Sequence, residues 1–261
     1  MKIDVNGTTI AVIDEGQGDA VLFLHGMGCD GTDWAPQITA LSGQYRCIAI
    51  DHRGHGESDR VVGDGFSISG FAADVLGVLD HLGVSAAHVV GLSMGGMVSQ
   101  RIALDAPERV LTLTLLDTFA RPGPLGESMG AMAEEIEKGD LDAFAAGFQA
   151  MMFASLTTTT KPEVIERFQA QFRANTPACL AWDIRAAASF DVLEDLGGIR
   201  APTLVCCGAE DNLTPPNQAE EIAAAIPGAR LEIIPDAGHF SNIENAPLVN
   251  ELLAKHFATE A

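Results

Sequence analysis

The chain has 261 residues, enough for one large core, and no shift in composition calls for a second independent domain. Its 36 Asp and Glu against 15 Lys and Arg give a formal net charge of −21, which disfavours nucleic acid and anionic lipid as partners. The amino terminus, Met1-Lys2-Ile3-Asp4-Val5-Asn6-Gly7, shows no basic region leading into an apolar run, and no stretch of about eighteen uninterrupted apolar residues occurs. The expectation is a cytoplasmic protein without signal peptide or membrane span. Five cysteines (Cys29, Cys47, Cys179, Cys206 and Cys207) form an odd set without metal-ligand spacing, which suits a reducing compartment.

Along the chain, short apolar runs alternate with helical patterns. Runs at 21–24, 47–50, 87–92, 110–116, 203–207 and 231–234 are continuous rather than alternating, as strands covered on both faces should be. Between them, Ile68, Phe71, Val75, Leu79 and Leu82 recur at near-helical spacing, with Gly83 as a stop. A second helix is predicted from Met94 to about Leu104, ended by Ala106-Pro107. Alternation of this kind predicts an α/β fold with a mostly parallel sheet and helices on both faces. It breaks down over 119–196, which is rich in Ala, Met and Phe and shows no clear strand. That segment opens with Arg121-Pro122-Gly123-Pro124-Leu125-Gly126, a loop, and the threonines at 157–160 read as a connection between helices. The expected organisation is a core of residues 1–118 and 197–261 with a helical lid at 119–196, over the sheet edge where open α/β sheets place their sites.

Gly91-Leu92-Ser93-Met94-Gly95 stands between a strand and a helix. A nucleophilic serine on so sharp a turn has strained backbone angles, and neighbours two residues away must lack side chains. The expected oxyanion donors are the backbone N–H groups of Met94 and of Met27, the latter in the loop His25-Gly26-Met27-Gly28. His25 is expected to brace that loop. In Gly238-His239-Phe240, after the last apolar run, His239 is the candidate general base. The acid is open among Asp211, Asp117 and Glu210, with Asp211 preferred because its strand neighbours that of the histidine. Trp182 and Phe240 are candidates for a pocket wall, and Arg121, Arg173 and Arg185 for gripping a substrate carboxylate.

These motifs, with Asp51-His52-Arg53-Gly54-His55-Gly56-Glu57-Ser58 and Gly208-Ala209-Glu210-Asp211, resemble a small bacterial α/β-hydrolase over almost the whole chain. The nearest subgroup is that of 3-oxoadipate enol-lactonases and related carboxylesterases. The resemblance implies hydrolysis of a small carboxylic ester or lactone through an acyl-enzyme on Ser93, His239 and Asp211, without metal or organic cofactor. Carbon–carbon bond hydrolases of the superfamily usually carry Asn before the nucleophile and Trp after the histidine. Leu92 and Phe240 stand there instead and argue against that chemistry. Cofactor-free haloperoxidase activity and a non-catalytic ligand receptor are the remaining alternatives.

Overall fold

The computed structural model describes residues 1–60, 63, 65–139 and 141–258. Eight strands form one sheet: β1 (Lys2–Val5), β2 (Thr8–Glu15), β3 (Ala20–Leu24), β4 (Arg46–Ile50), β5 (Ala87–Leu92), β6 (Val110–Leu116), β7 (Thr203–Gly208) and β8 (Arg230–Ile234). Their order is β1-β2-β4-β3-β5-β6-β7-β8. β2 pairs antiparallel with β1 and β4, and every pairing from β4 to β8 is parallel. All six predicted runs are strands. Every residue of β3, β5 and β7 is buried, so helices cover both faces, whereas the edge strand β8 buries only Ile234.

The hairpin β1–β2 is absent from the sequence-based expectation, although its turn signal is plain. Asn6 (φ 48°) and Gly7 (φ 76°) occupy the two left-handed positions that a two-residue hairpin turn requires.

Helices α1 (Ala35–Leu41), α2 (Ile68–His81) and α3 (Met94–Asp105) connect the first six strands. The predicted apolar stripe of α2 is its buried face; Ser67 caps its start by accepting from the Gly70 amide at 3.1 Å, and Gly83 (φ 68°) follows its end. Between β6 and β7 the chain forms α4 (Gly126–Glu137), α5 (Leu141–Met152), α6 (Ser155–Thr160), α7 (Pro162–Ala174) and α8 (Pro177–Ala188), with no strand among the described residues. α4 packs on α8, Met129, Ala133 and Ile136 of the one and Leu180 and Ile184 of the other being buried in the same core, and α5 meets α7 where Phe144 stacks on Phe172. The threonines at 157–160 belong to α6 rather than to a plain connection. Thr158, Thr159 and Thr160 donate their hydroxyls to carbonyls four residues back, which makes them tolerable there. Helices α9 (Pro216–Ala225), α10 (Ser241–Glu244) and α11 (Ala246–Phe257) complete the chain. No helix among the described residues is long and apolar enough to cross a membrane.

Candidate active site

The parallel strands β5, β6, β7 and β8 end at one edge of the sheet, and the chemistry-bearing residues follow those ends. Ser93 lies immediately after β5 with φ 54° and ψ −117°, a conformation that L-residues adopt only under constraint. The constraint comes from its neighbours. Its amide donates to the Leu116 carbonyl at 2.9 Å, and Thr118 Oγ1 donates to its carbonyl at 2.7 Å. A Cβ on Gly95 would stand 2.1 Å from the Leu24 carbonyl oxygen, and one on Gly91 2.3 Å from that of Gly95. Only glycine fits at either place, which accounts for the motif.

Met94 is the first residue of α3, where backbone N–H groups have no partner within the helix. Met27 lies across from it on the loop after β3: a Cβ on Gly26 would touch Ser93 Cβ at 3.2 Å. Neither methionine amide donates to any described residue. The Gly26–Met27 peptide is oriented by His25, whose Nδ1 lies 2.7 Å from the Gly26 carbonyl while Nε2 accepts the His52 amide at 2.9 Å. Those two bonds require the neutral Nδ1–H tautomer. Burial and the nearby His55 push the His25 pKa down to about 3, so the ring stays neutral.

His239 is buried, and its Nδ1 lies 2.9 Å from Asp211 Oδ2. Asp211 also accepts from the Leu213 and Thr214 amides at 2.8 and 3.0 Å and from Thr214 Oγ1 at 2.7 Å, so four donors surround one carboxylate. Burial acts against the imidazolium, but the carboxyl groups around it, Asp211 foremost with Asp117 and Glu244, together outweigh it and the His239 pKa is raised. The competing acids are engaged elsewhere. Asp117 accepts from the Gly208 amide at 2.8 Å and from the Ser241 amide and hydroxyl, while burial and Asp211 push it up to about 8. Glu210 is half-buried and accepts from the Ser155 amide and hydroxyl at the start of α6. Two residues absent from the sequence reading shape this corner. Thr214 bridges Asp211 and His239, its Oγ1 3.2 Å from Nδ1, and it follows directly on the Asx-turn that the Leu213 amide closes on Asp211. Glu244 holds the histidine loop by accepting the Gly238 amide at 2.9 Å, and also accepts the Ala154 amide at 2.8 Å; no local pattern announces it.

A cavity of about 50 Å³ opens on Ser93, with Met27 and Met94 in its floor, Thr214 at one side and Met129, Phe148 and Ile184 of the helical segment in its wall. At about 10–15 Å³ per water it holds roughly four waters, or a short acyl chain. Among the described residues no Lys or Arg lines it. Arg121 pairs with Glu221 at 3.1 Å, Arg173 with Asp142, and Arg185 bidentately with Glu137 at 2.7 and 2.9 Å, all on the surface. Trp182 is 37% exposed and faces Phe66 at 6.2 Å, outside this cavity. Phe240 stacks on Phe153 at 5.3 Å and borders a separate cavity of about 150 Å³ beside α7. Asp117, Cys207 and Asp211 bring donor atoms within 4.8 Å of one another. They suit a metal poorly: both carboxylates are saturated by hydrogen bonds, and burial holds the thiol protonated.

Residues 19–246 match the model of the family described as alpha/beta hydrolase fold. The 3-oxoadipate enol-lactonase 1 of Acinetobacter baylyi is 32% identical over 241 residues, covering 91% of this chain and 89% of its own. A relative from Azorhizobium caulinodans, provisionally named for carbamate hydrolysis, is likewise 32% identical over 241 residues, covering 91% of each chain. The crystal structure of the enol-lactonase from Burkholderia xenovorans LB400 superposes with a TM-score of 0.94 at 30% identity, covering 99% of this chain and 100% of that one. The chain belongs to the α/β-hydrolase family.

Proposed function

We propose that the protein is a serine hydrolase that cleaves small, uncharged carboxylic esters or lactones through an acyl-enzyme. The observation that carries this reading is the buried Asp211–His239 pair, joined through Thr214 to the cavity that opens on Ser93. Asp211 holds Nδ1–H of the imidazole, which leaves Nε2 as the base. His239 takes the proton from Ser93 Oγ as the oxygen attacks the substrate carbonyl, and the amides of Met27 and Met94 hold the resulting oxyanion. Collapse expels the alcohol, which receives the proton from His239. Water, deprotonated by the same imidazole, then releases the acid; from a lactone the product is a hydroxy acid.

The helices at 126–188 serve as the lid over this site, and the size of the cavity favours short acyl groups. The wall is apolar apart from Asp183 and Thr214 and holds no cation among the described residues, which favours an uncharged acyl portion, so the anionic enol-lactone of the Acinetobacter relative is not carried over to this chain. Purified protein should hydrolyse p-nitrophenyl acetate and butyrate faster than the octanoate, and neutral lactones faster than carboxylate-bearing ones. Ser93→Ala should lose at least about a thousandfold in kcat/KM. Turnover by Ser93→Ala at the wild-type rate, or none by the wild type on any ester or lactone, would overturn the reading.

A further inference from the structure

The loop that carries Met27 is gripped by residues of the helical segment. Asn175, between α7 and α8, is buried and donates its amide to the Gly28 carbonyl at 3.0 Å and to the Gln171 carbonyl at 2.8 Å. On the other side of the same residue, the Gly28 amide donates to His55 Nε2 at 3.1 Å, and His55 Nδ1 lies 3.3 Å from the Arg53 carbonyl. Behind His55 stands Asp183 of α8, its Oδ2 3.0 Å from the same Nε2, with both side chains wholly enclosed. The ring of Phe172, at the end of α7, fills the space beside Gly28: a Cβ there would stand 2.5 Å from it, and φ 77° suits glycine alone.

Asp183 is an expensive residue to place here. Its Oδ2 stands 3.0 Å from His55 Nε2, the nitrogen that also faces the Gly28 amide, and Oδ1 has no hydrogen-bond partner among the described residues. A buried carboxyl so weakly satisfied costs free energy. Burial accordingly pushes its pKa up. What the arrangement secures is the orientation of His55, and through it that of the Gly28 peptide.

We infer that the helical segment clamps the oxyanion loop: Asn175 directly, and Asp183 through His55, hold the Gly28 peptide and thereby aim the adjacent Met27 amide at the developing oxyanion. This rests on the reading of Met27 as an oxyanion donor. Asn175 and His55 are positioning residues, Asp183 both faces His55 and borders the cavity on Ser93, and the oxyanion site is complete only with the helices docked. Loss of one such donor costs about a hundred- to a thousandfold in kcat, so a donor that is present but misaimed should cost at least about tenfold.

The test compares Asn175→Ala and Asp183→Ala with the conservative Asp183→Asn, whose amide can still hydrogen-bond to His55. Active sites are counted by fluorophosphonate labelling of Ser93. Per labelled site, the two alanine variants should lose about tenfold or more in kcat, with KM for p-nitrophenyl butyrate nearly unchanged in Asn175→Ala, whose side chain lies outside the cavity lining. Ki for a trifluoromethyl ketone, which mimics the tetrahedral adduct, should rise by the factor that kcat/KM falls. Asp183→Asn should recover most of the loss. Hydrogen exchange of the amides at 26–28 should accelerate in the alanine variants, a readout independent of turnover. Unchanged exchange there overturns the clamp whatever the kinetics show. Lost activity that tracks lost labelling, with Ki unchanged, overturns it too, because it reports only misfolded protein. A wild type that neither labels nor hydrolyses esters, with exchange still responsive, refutes the hydrolase reading, and the catalytic role of the clamp falls with it.

Discussion

At the scale of single residues, the proposal of Asp211 among three acids rests on their neighbours. Glu210 and Asp211 are adjacent in sequence, but Glu210 accepts from Ser155 at the start of α6 while Asp211 lies 2.9 Å from His239. Asp211→Asn should therefore lose about three to four orders of magnitude in kcat, while Asp117→Asn should lose little; the reverse ranking would move the acid to Asp117. Because Asp211 raises the His239 pKa and the protonated ring cannot act as base, kcat/KM should fall as pH drops, with a midpoint above the ordinary histidine value of about 6.5. A pH–rate profile measures it, and a midpoint well below that value would contradict the assignment. Asp117 gives a stability prediction of opposite sense. Its folded pKa, about 8, lies above its ordinary value, so the folded state binds the extra proton. Stability is then full at low pH and lost as pH rises through about 8, a slope that Asp117→Asn should flatten in urea melts. The sharp turn at Ser93 and its flanking glycines were legible because local backbone geometry dictates them. The surface roles of Arg121, Arg173 and Arg185 were not, because Glu221, Asp142 and Glu137 reach them only through tertiary packing. The His55–Asp183 pair was hidden for the same reason.

At the scale of elements, continuous apolar runs identified the five inner strands β3 to β7 because burial on both faces removes the need for polar alternation, and the sixth run is the edge strand β8, of which only Ile234 is buried. The hairpin β1–β2 lies at the sheet edge, where partly polar strands blur that signal, and Asn6-Gly7 alone marked it. Glycines now divide by what surrounds them. Gly95→Ala drives a methyl into the Leu24 carbonyl and should destabilise by more than about 2 kcal/mol. Gly130→Ala in α4 and Gly147→Ala in α5 meet open space on exposed helix faces and should each stabilise by about 0.5–1 kcal/mol. Urea midpoints at constant slope measure all three. A neutral Gly95→Ala would mean that the turn at Ser93 is looser than its contacts imply.

At the scale of the whole molecule, 36 acidic against 15 basic residues produce self-repulsion and a field that slows the approach of anions. Salt screens both over about 8 Å at physiological strength. Raising sodium chloride from low to molar concentration should raise Tm, and should raise kcat/KM for a carboxylate-bearing ester while leaving a neutral ester of equal size nearly unchanged. An equal response of the two esters would remove the field as the cause. The architecture organises all of these effects around one side chain, placed where β5 turns into α3. The most direct measurement is therefore intact-mass and peptide analysis after treatment with a fluorophosphonate. The account predicts one adduct per chain, mapped to Ser93, with activity lost in proportion; an adduct on another residue, or full activity after complete labelling of Ser93, would contradict it.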